Sequence, residues 1–293
     1  FVTSDLNQRT YLEAHLDRNR QKLLSAAEAV RGAGLRPQLL LCEPRFVPER
    51  FLADHPQLRG PRVDNPACST TPWYALCTDL PAVQAHYRQM MRALMALVPE
   101  IDGASLFTHD SGAGFCHSES LYAGPHGPRH CKGGNVGRRV GAFLGNLVSA
   151  ARDVNPAFLA ALGTGLTGQE RKDFIAAAPK GVTCEAIGAY SWHGGLEDHW
   201  AQQQYGRTLK DVGYERARKE RIEEFQQWVD LTKQAGKDSI GVNNLATDGY
   251  MKPLHYVMHP RENLRILDQL RAMGVKHIHA RGKFSTLIEF DIN

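Results

Sequence analysis

The chain is 293 residues long, with 35 Lys and Arg against 31 Asp and Glu, a formal charge of +4 and 42% hydrophobic residues. That composition excludes a disordered tail, a collagen-like chain and a small stapled scaffold, and the length suffices to bury a large core. The basic residues form no runs, so nucleic acid is not expected as a partner, and no stretch of about 18 apolar residues occurs, so no membrane span is expected.

Phe1-Val2-Thr3-Ser4-Asp5 carries neither an initiator Met nor the basic start and apolar core of a signal peptide. A fragment or processed chain is therefore expected, with the compartment left open between secreted or periplasmic and cytoplasmic. Leu12, Leu16, Leu23, Leu24, Ala27 and Val30 fall near helical spacing until Gly32-Ala33-Gly34 stops the pattern. Leu39-Leu40-Leu41-Cys42, short, continuous and followed by Glu43-Pro44, then reads as a strand buried on both faces.

This helix-then-strand rhythm repeats. Helices are predicted over about Ala82–Leu97, Val136–Arg152, Gln169–Ala177, Tyr214–Lys233 and Arg261–Met273. The strands that follow them are predicted at Ala104–Thr108, Phe158–Leu162, Val182–Ile187, Ser239–Val242 and Val275–Ala280. Six short strands, each led by a helix, imply an α/β fold with a parallel sheet built by right-handed crossovers. A doubly wound sheet and a (β/α)8 TIM-like barrel both satisfy that order. Segments after the strands are long and rich in Trp, His, Asp and Gly, whereas the returns from helix to strand are short, which favours the barrel. The expectation is one barrel domain over residues 1–293, incomplete at its N-terminus, whose exposed edges invite homo-oligomerisation.

The densest chemistry follows the strand ending at Thr108, in His109-Asp110-Ser111-Gly112-Ala113-Gly114-Phe115-Cys116-His117-Ser118-Glu119. A carboxylate at the mouth of a buried strand is where burial raises its pKa toward use as a general acid. Asp110 is the candidate acid, with His109 tuning it, unless Asp110 merely caps the loop and His109 is a satisfied, half-buried histidine. Glu185, with Tyr190, Trp192 and His193 after it, and Asn243-Asn244, with Asp248 and Tyr250 after them, bring more carboxylates, amides and aromatics to strand ends. Rings stack on pyranose faces while carboxylates and amides take the hydroxyls, so a carbohydrate is the expected partner.

Two further motifs compete. Cys116, His117, His130 and Cys131, with His126 nearby, supply soft and imidazole donors for zinc, but without a C-x-x-C pair. A disulfide or a pair of thiols within that loop stands equally open, as does a bridge between Cys68 and Cys77. Gly163, Gly165 and Gly168 match G-x-G-x-x-G after a strand and before a helix, with Glu185 where a ribose-binding acid would fall. A nucleotide-dependent enzyme is the alternative that this turn would support.

Tyr74-Ala75-Leu76-Cys77-Thr78-Asp79-Leu80-Pro81-Ala82-Val83, Val98-Pro99-Glu100-Ile101-Asp102-Gly103 and Leu106-Phe107-Thr108-His109-Asp110 resemble the third-to-fourth strand region of barrel glycoside hydrolases of the α-glucuronidase and β-hexosaminidase kind. Gly249-Tyr250-Met251 and Asp291-Ile292-Asn293 look like segments of related uncharacterised bacterial proteins. The resemblance spans about residues 36–160 and implies a barrel, an acidic pair ending strand four, Glu43 as a substrate contact ending strand three, and Phe1-Val2 as the end of strand two. Where the hexosaminidases carry Asp-Glu, this chain has His109-Asp110, so their Glu acid does not transfer.

The sequence thus points to a glycoside hydrolase without a cofactor. Asp110 would be the acid, Glu185 or Asp248 its partner, and His109 would tune the pair. Glu43, Trp192, His193, Tyr250, Asn243 and Asn244 would hold the substrate. A non-catalytic carbohydrate-binding barrel is the other alternative.

Overall fold

The computed structural model describes residues 2–7, 13–64, 69–109, 112–121, 124–164, 166–186, 214–237, 239–244, 246–247, 257–258, 260–275 and 277–281. The chain divides into two compact units, Phe1–Thr183 and Cys184–Asn293. Among the described residues, no helix is long and apolar enough to cross a membrane.

The first unit opens with α1 (Glu13–Gly32) and β1 (Gln38–Cys42), followed by β2 (Phe46–Val47), α2 (Glu49–Asp54), β3 (Arg59–Arg62) and β4 (Tyr74–Leu76). Then come α3 (Pro81–Leu97), β5 (Gly103–Phe107), α4 (Val136–Arg152), β6 (Leu159–Thr164), α5 (Gly168–Ala177) and β7 (Val182–Ala186), where the units meet in sequence. β1, β5 and β6 pair in parallel, with Cys42 opposite Phe107 and Ala104 opposite Ala160. The N–H of Ala160 donates to the carbonyl of Gly181, just ahead of β7. Parallel strands joined through helices put every strand's C-terminal end on one edge, so the loops after β1 and β5 emerge side by side.

Helix signals lie where the sequence puts them. Pro81 opens α3, and Val83, Tyr87, Met91, Leu94 and Met95 form its buried stripe. Asn135 caps α4, its side chain accepting the Arg138 N–H at 2.8 Å. α4 and α5 meet backbone to backbone: a Cβ at Gly137 would collide with the main chain of Glu170, Asp173 and Phe174. Around them Phe115, Phe143, Phe158 and Phe174 are fully buried. Phe143 meets Phe115 and Tyr87 edge-on, with ring centroids 5.4 and 4.8 Å away.

The second unit holds α6 (Tyr214–Gln234), β8 (Ser239–Asn244), the two-residue strands β9 (Ala246–Thr247) and β10 (Val257–Met258), α7 (Pro260–Ala272) and β11 (His277–Arg281). β8 pairs in parallel with β7 and with β11. Phe225 and Val229 of α6 pack with Leu270 and Val275 as its core.

The α/β expectation holds, with six parallel strands alternating with helices among the described residues, two short of a full barrel. Three details differ from expectation. β1 is not buried on both faces, since Leu40 is 65% exposed and β5 is the one strand that β1 pairs with among the described residues. Val2 lies in no strand, and Phe1 is outside the described residues. An additional antiparallel sheet, ordered β2-β4-β3, fills the long connection between β1 and α3.

Candidate functional site

Glu43 follows β1 through a cis peptide to Pro44. Its Oε2 accepts the backbone N–H of Arg45 at 2.7 Å and the hydroxyl of Tyr87 on α3 at 3.0 Å. The side chain keeps partial exposure while its carboxyl sits deep among protein atoms, and that burial raises its pKa above the ordinary value despite both hydrogen bonds. A carboxyl with a raised pKa at a strand mouth is equipped to donate a proton.

The loop after β5 is laced to the loop after β1. Phe46 donates its N–H to Gly112, Gly114 donates to Pro44, and Arg45 bridges Ala113 in antiparallel fashion. Gly112 takes φ +77°, and a Cβ there would lie 2.7 Å from the ring of Phe46. The ring of Phe46 stacks on that of Trp73 with centroids 4.5 Å apart. Trp73, 37% exposed, therefore presents an indole beside the loop that carries Asp110. Beneath it Asp64, 1% exposed, accepts the Trp73 N–H at 3.0 Å and a bidentate pair from Arg62 at 2.6 and 2.8 Å. The Arg62 hydrogen bonds hold the Asp64 pKa below its usual value.

His109 is 8% exposed with φ +58°, a conformation uncommon for a residue with a side chain. Its Nε2 accepts the N–H of Phe115 at 3.2 Å, which leaves Nδ1 as the protonated nitrogen. The His109 ring thus ties the start of the loop after β5 to its backbone at Phe115. Asp110, Asp248, Trp192, His193 and Tyr250 lie outside the described residues, as do Ser111 and Tyr190. Glu185 lies on β7, and Asn243 and Asn244 on β8; for these three only the backbone is described.

Two expectations about the cysteines change. Cys42, Cys77, Cys116 and Cys131 are free thiols, so Cys77 is not bridged; Cys68 is outside the described residues. His117, expected among the zinc donors, turns its Nε2 to the carbonyl of Pro128 at 3.1 Å. Its place is taken by Cys77, which sequence distance had hidden: Cys77, Cys116 and Cys131 form one buried cluster, and His130 Nε2 lies 3.4 Å from Cys77 Sγ.

Carboxylates gather at the start of α5. Glu170, buried in the first turn, accepts from Ser118 Oγ and the Glu119 N–H, each at 2.9 Å, and Thr167 Oγ1 donates to Glu119. Burial raises the Glu170 pKa. Negative side chains already complement this helix start, so a pyrophosphate would face their repulsion.

No protein-family model and no curated protein matches the chain. Among solved structures it is similar to Thermotoga maritima Cel5A in complex with mannotriose, at 9% identity over 92% of this chain and 72% of that one, with a TM-score of 0.49. It is also similar to the β-galactosidase of Rahnella sp. R3, at 12% identity over 95% and 43%, with a TM-score of 0.48. A third is the α-galactosidase of Thermus thermophilus, at 14% identity over 86% and 45%, with a TM-score of 0.45. The chain spans less than half the length of the two galactosidases. These neighbours are glycoside hydrolases, and at such identities and scores the likeness decides neither activity nor substrate.

Proposed function

We propose that the chain is the barrel portion of a glycoside hydrolase acting on a carbohydrate through paired carboxylates, built as a single barrel domain. The observation that carries this reading is the half-buried Glu43, its pKa raised by burial, on the strand end next to the loop of Asp110, with the stacked Phe46 and Trp73 rings alongside. The rings supply the apolar platform for a pyranose face. Asp110 and Glu43 supply carboxyl groups for protonating the leaving oxygen and for assisting attack at the anomeric carbon. His109 positions the turn. Glu185 and Asp248 stand as alternatives to Glu43 for the partner carboxylate, and Trp192, His193, Tyr250, Asn243 and Asn244 as substrate contacts. An α-glucuronidase or β-hexosaminidase kind of substrate follows from the sequence resemblance alone. The test is a panel of nitrophenyl glycosides and oligosaccharides. Released product supports the hydrolase, calorimetric binding without product makes the chain a carbohydrate-binding barrel, and neither result rejects both.

A further inference from the structure

Three thiols from three separate segments converge on one point of the first unit. Cys77 follows β4, Cys116 lies in the loop after β5, and Cys131 ends a short 3-10 turn at Arg129–Cys131 just before α4. They are 0%, 1% and 3% exposed. The donor atoms of Cys77, His130 and Cys131 lie within 4.8 Å of one another; Cys116 packs in the same buried cluster, outside that mutually close set. Zinc–sulfur and zinc–nitrogen bonds of about 2.3 and 2.0 Å at tetrahedral angles set a sulfur and a nitrogen about 3.5 Å apart. Cys77 Sγ and His130 Nε2 stand 3.4 Å apart.

Buried cysteines commonly act as small apolar residues, but apolar packing does not account for the surroundings here. His130 is exposed as a residue, yet directs Nε2 inward onto a sulfur. Arg139, 7% exposed, donates to the carbonyls of Cys116 and Cys131 at 2.7 and 3.0 Å while a bidentate pair at 2.6 and 2.8 Å holds it to Asp79. One guanidinium thus fixes all three cysteine-bearing segments, the outer-shell bracing that metal ligands require. Among its described residues, the stretch from Thr108 to Asn135 holds no helix or named strand besides that 3-10 turn, so little secondary structure anchors it.

We infer that Cys77, Cys116, His130 and Cys131 bind a structural zinc ion, a site that clamps the loop carrying Asp110 to the segment carrying Trp73. Three thiolates and one imidazole make a closed tetrahedral set, so the ion organises the fold and takes no part in the chemistry. Binding exchanges three S–H protons for three Zn–S bonds; the protons leave to solvent and no oxidation state changes. The inference is independent of the glycosidase reading.

The chain prepared with reductant and Zn2+, then dialysed, should retain about one zinc per molecule by atomic emission. Cys77, Cys116 and Cys131 should resist alkylation until a chelator is added. Replacement of the ion by Co2+ should give sulfur-to-cobalt charge-transfer bands and the visible bands of a tetrahedral centre. His130→Asn, at an exposed position, should weaken zinc by on the order of 100-fold. His117→Asn should leave zinc binding unchanged. A wild-type chain that takes up no zinc, a cobalt spectrum without thiolate bands, or zinc lost in His117→Asn but kept in His130→Asn overturns the assignment.

Discussion

The loop from His109 to Asn135 serves two clusters that use burial in opposite ways. At its start, Glu43 and Trp73 keep part of their surface exposed, so a carboxyl whose charge is penalised by burial can still meet a ligand. At its end, Cys77, Cys116 and Cys131 are sealed from solvent behind His130 and braced by Arg139. Chemistry needs access together with a perturbed group, whereas a clamp needs closure; the contrast matches the roles proposed for the two clusters.

Substitutions at the exposed end can break or sharpen this contrast. The largest effect on stability is expected from Asp64→Ala, which strands Arg62 and the Trp73 N–H. It should cost about 3 kcal/mol in denaturant unfolding near neutral pH. Because the folded-state pKa of Asp64 is lowered, its contribution is present above the unfolded value of 3.8 and fades as pH falls through the folded one. The Asp64→Ala deficit should therefore shrink in strong acid, and a deficit constant with pH would show that the Arg62 pair is not its source. Gly112→Ala should cost about 1–3 kcal/mol, from a side chain at φ +77° driven against Phe46. A neutral result would mean that the two loops are not laced as described.

Trp73→Ala should remove about 1 kcal/mol of ring stacking and weaken sugar binding more than turnover, read as a rise in KM with kcat kept. The smallest effect concerns Glu43. A raised carboxyl pKa stabilises the fold below the unfolded value of 4.5 and loses that contribution as pH rises through the folded one. Glu43→Gln should accordingly gain on wild type in thermal unfolding as pH increases from acid to neutral. A difference from wild type that stays constant over that range would place the carboxyl in water rather than in the recess.

Much of this architecture was legible in the sequence because long periodic helices and continuous apolar strands carry their own signal. The predicted Val136–Arg152 helix agrees with α4 in both bounds, and all six parallel strands fall where expected within a few residues. The antiparallel sheet was not legible. Phe46–Val47 and Tyr74–Leu76 are too short for any period, and Arg59–Arg62 contains Gly60 and Pro61, which read as a turn. Gly60 instead allows a close strand approach, since a Cβ there would lie 2.7 Å from the carbonyl carbon of Leu76.

At the site, the family resemblance pointed to Glu43 as a substrate contact and a strand end pointed to His109, but their surroundings depend on partners outside the immediate sequence. Tyr87 reaches Glu43 from α3, and the loop returns Phe115 to His109. For the thiols, sequence reasoning grouped donors within one loop and so took His117 instead of Cys77. Only the three-dimensional return of the β4 segment brings the third sulfur in.

The central claim is that the strand ends of β1 and β5 carry hydrolytic carboxyl groups. Steady-state hydrolysis of the glycoside that the wild-type chain cleaves fastest, repeated with Asp110→Asn and Glu43→Gln, tests it most directly. Each variant is predicted to lose on the order of 10²–10⁴ in kcat/KM with its zinc content and unfolding temperature close to wild type. Full turnover retained in both variants would contradict the claim.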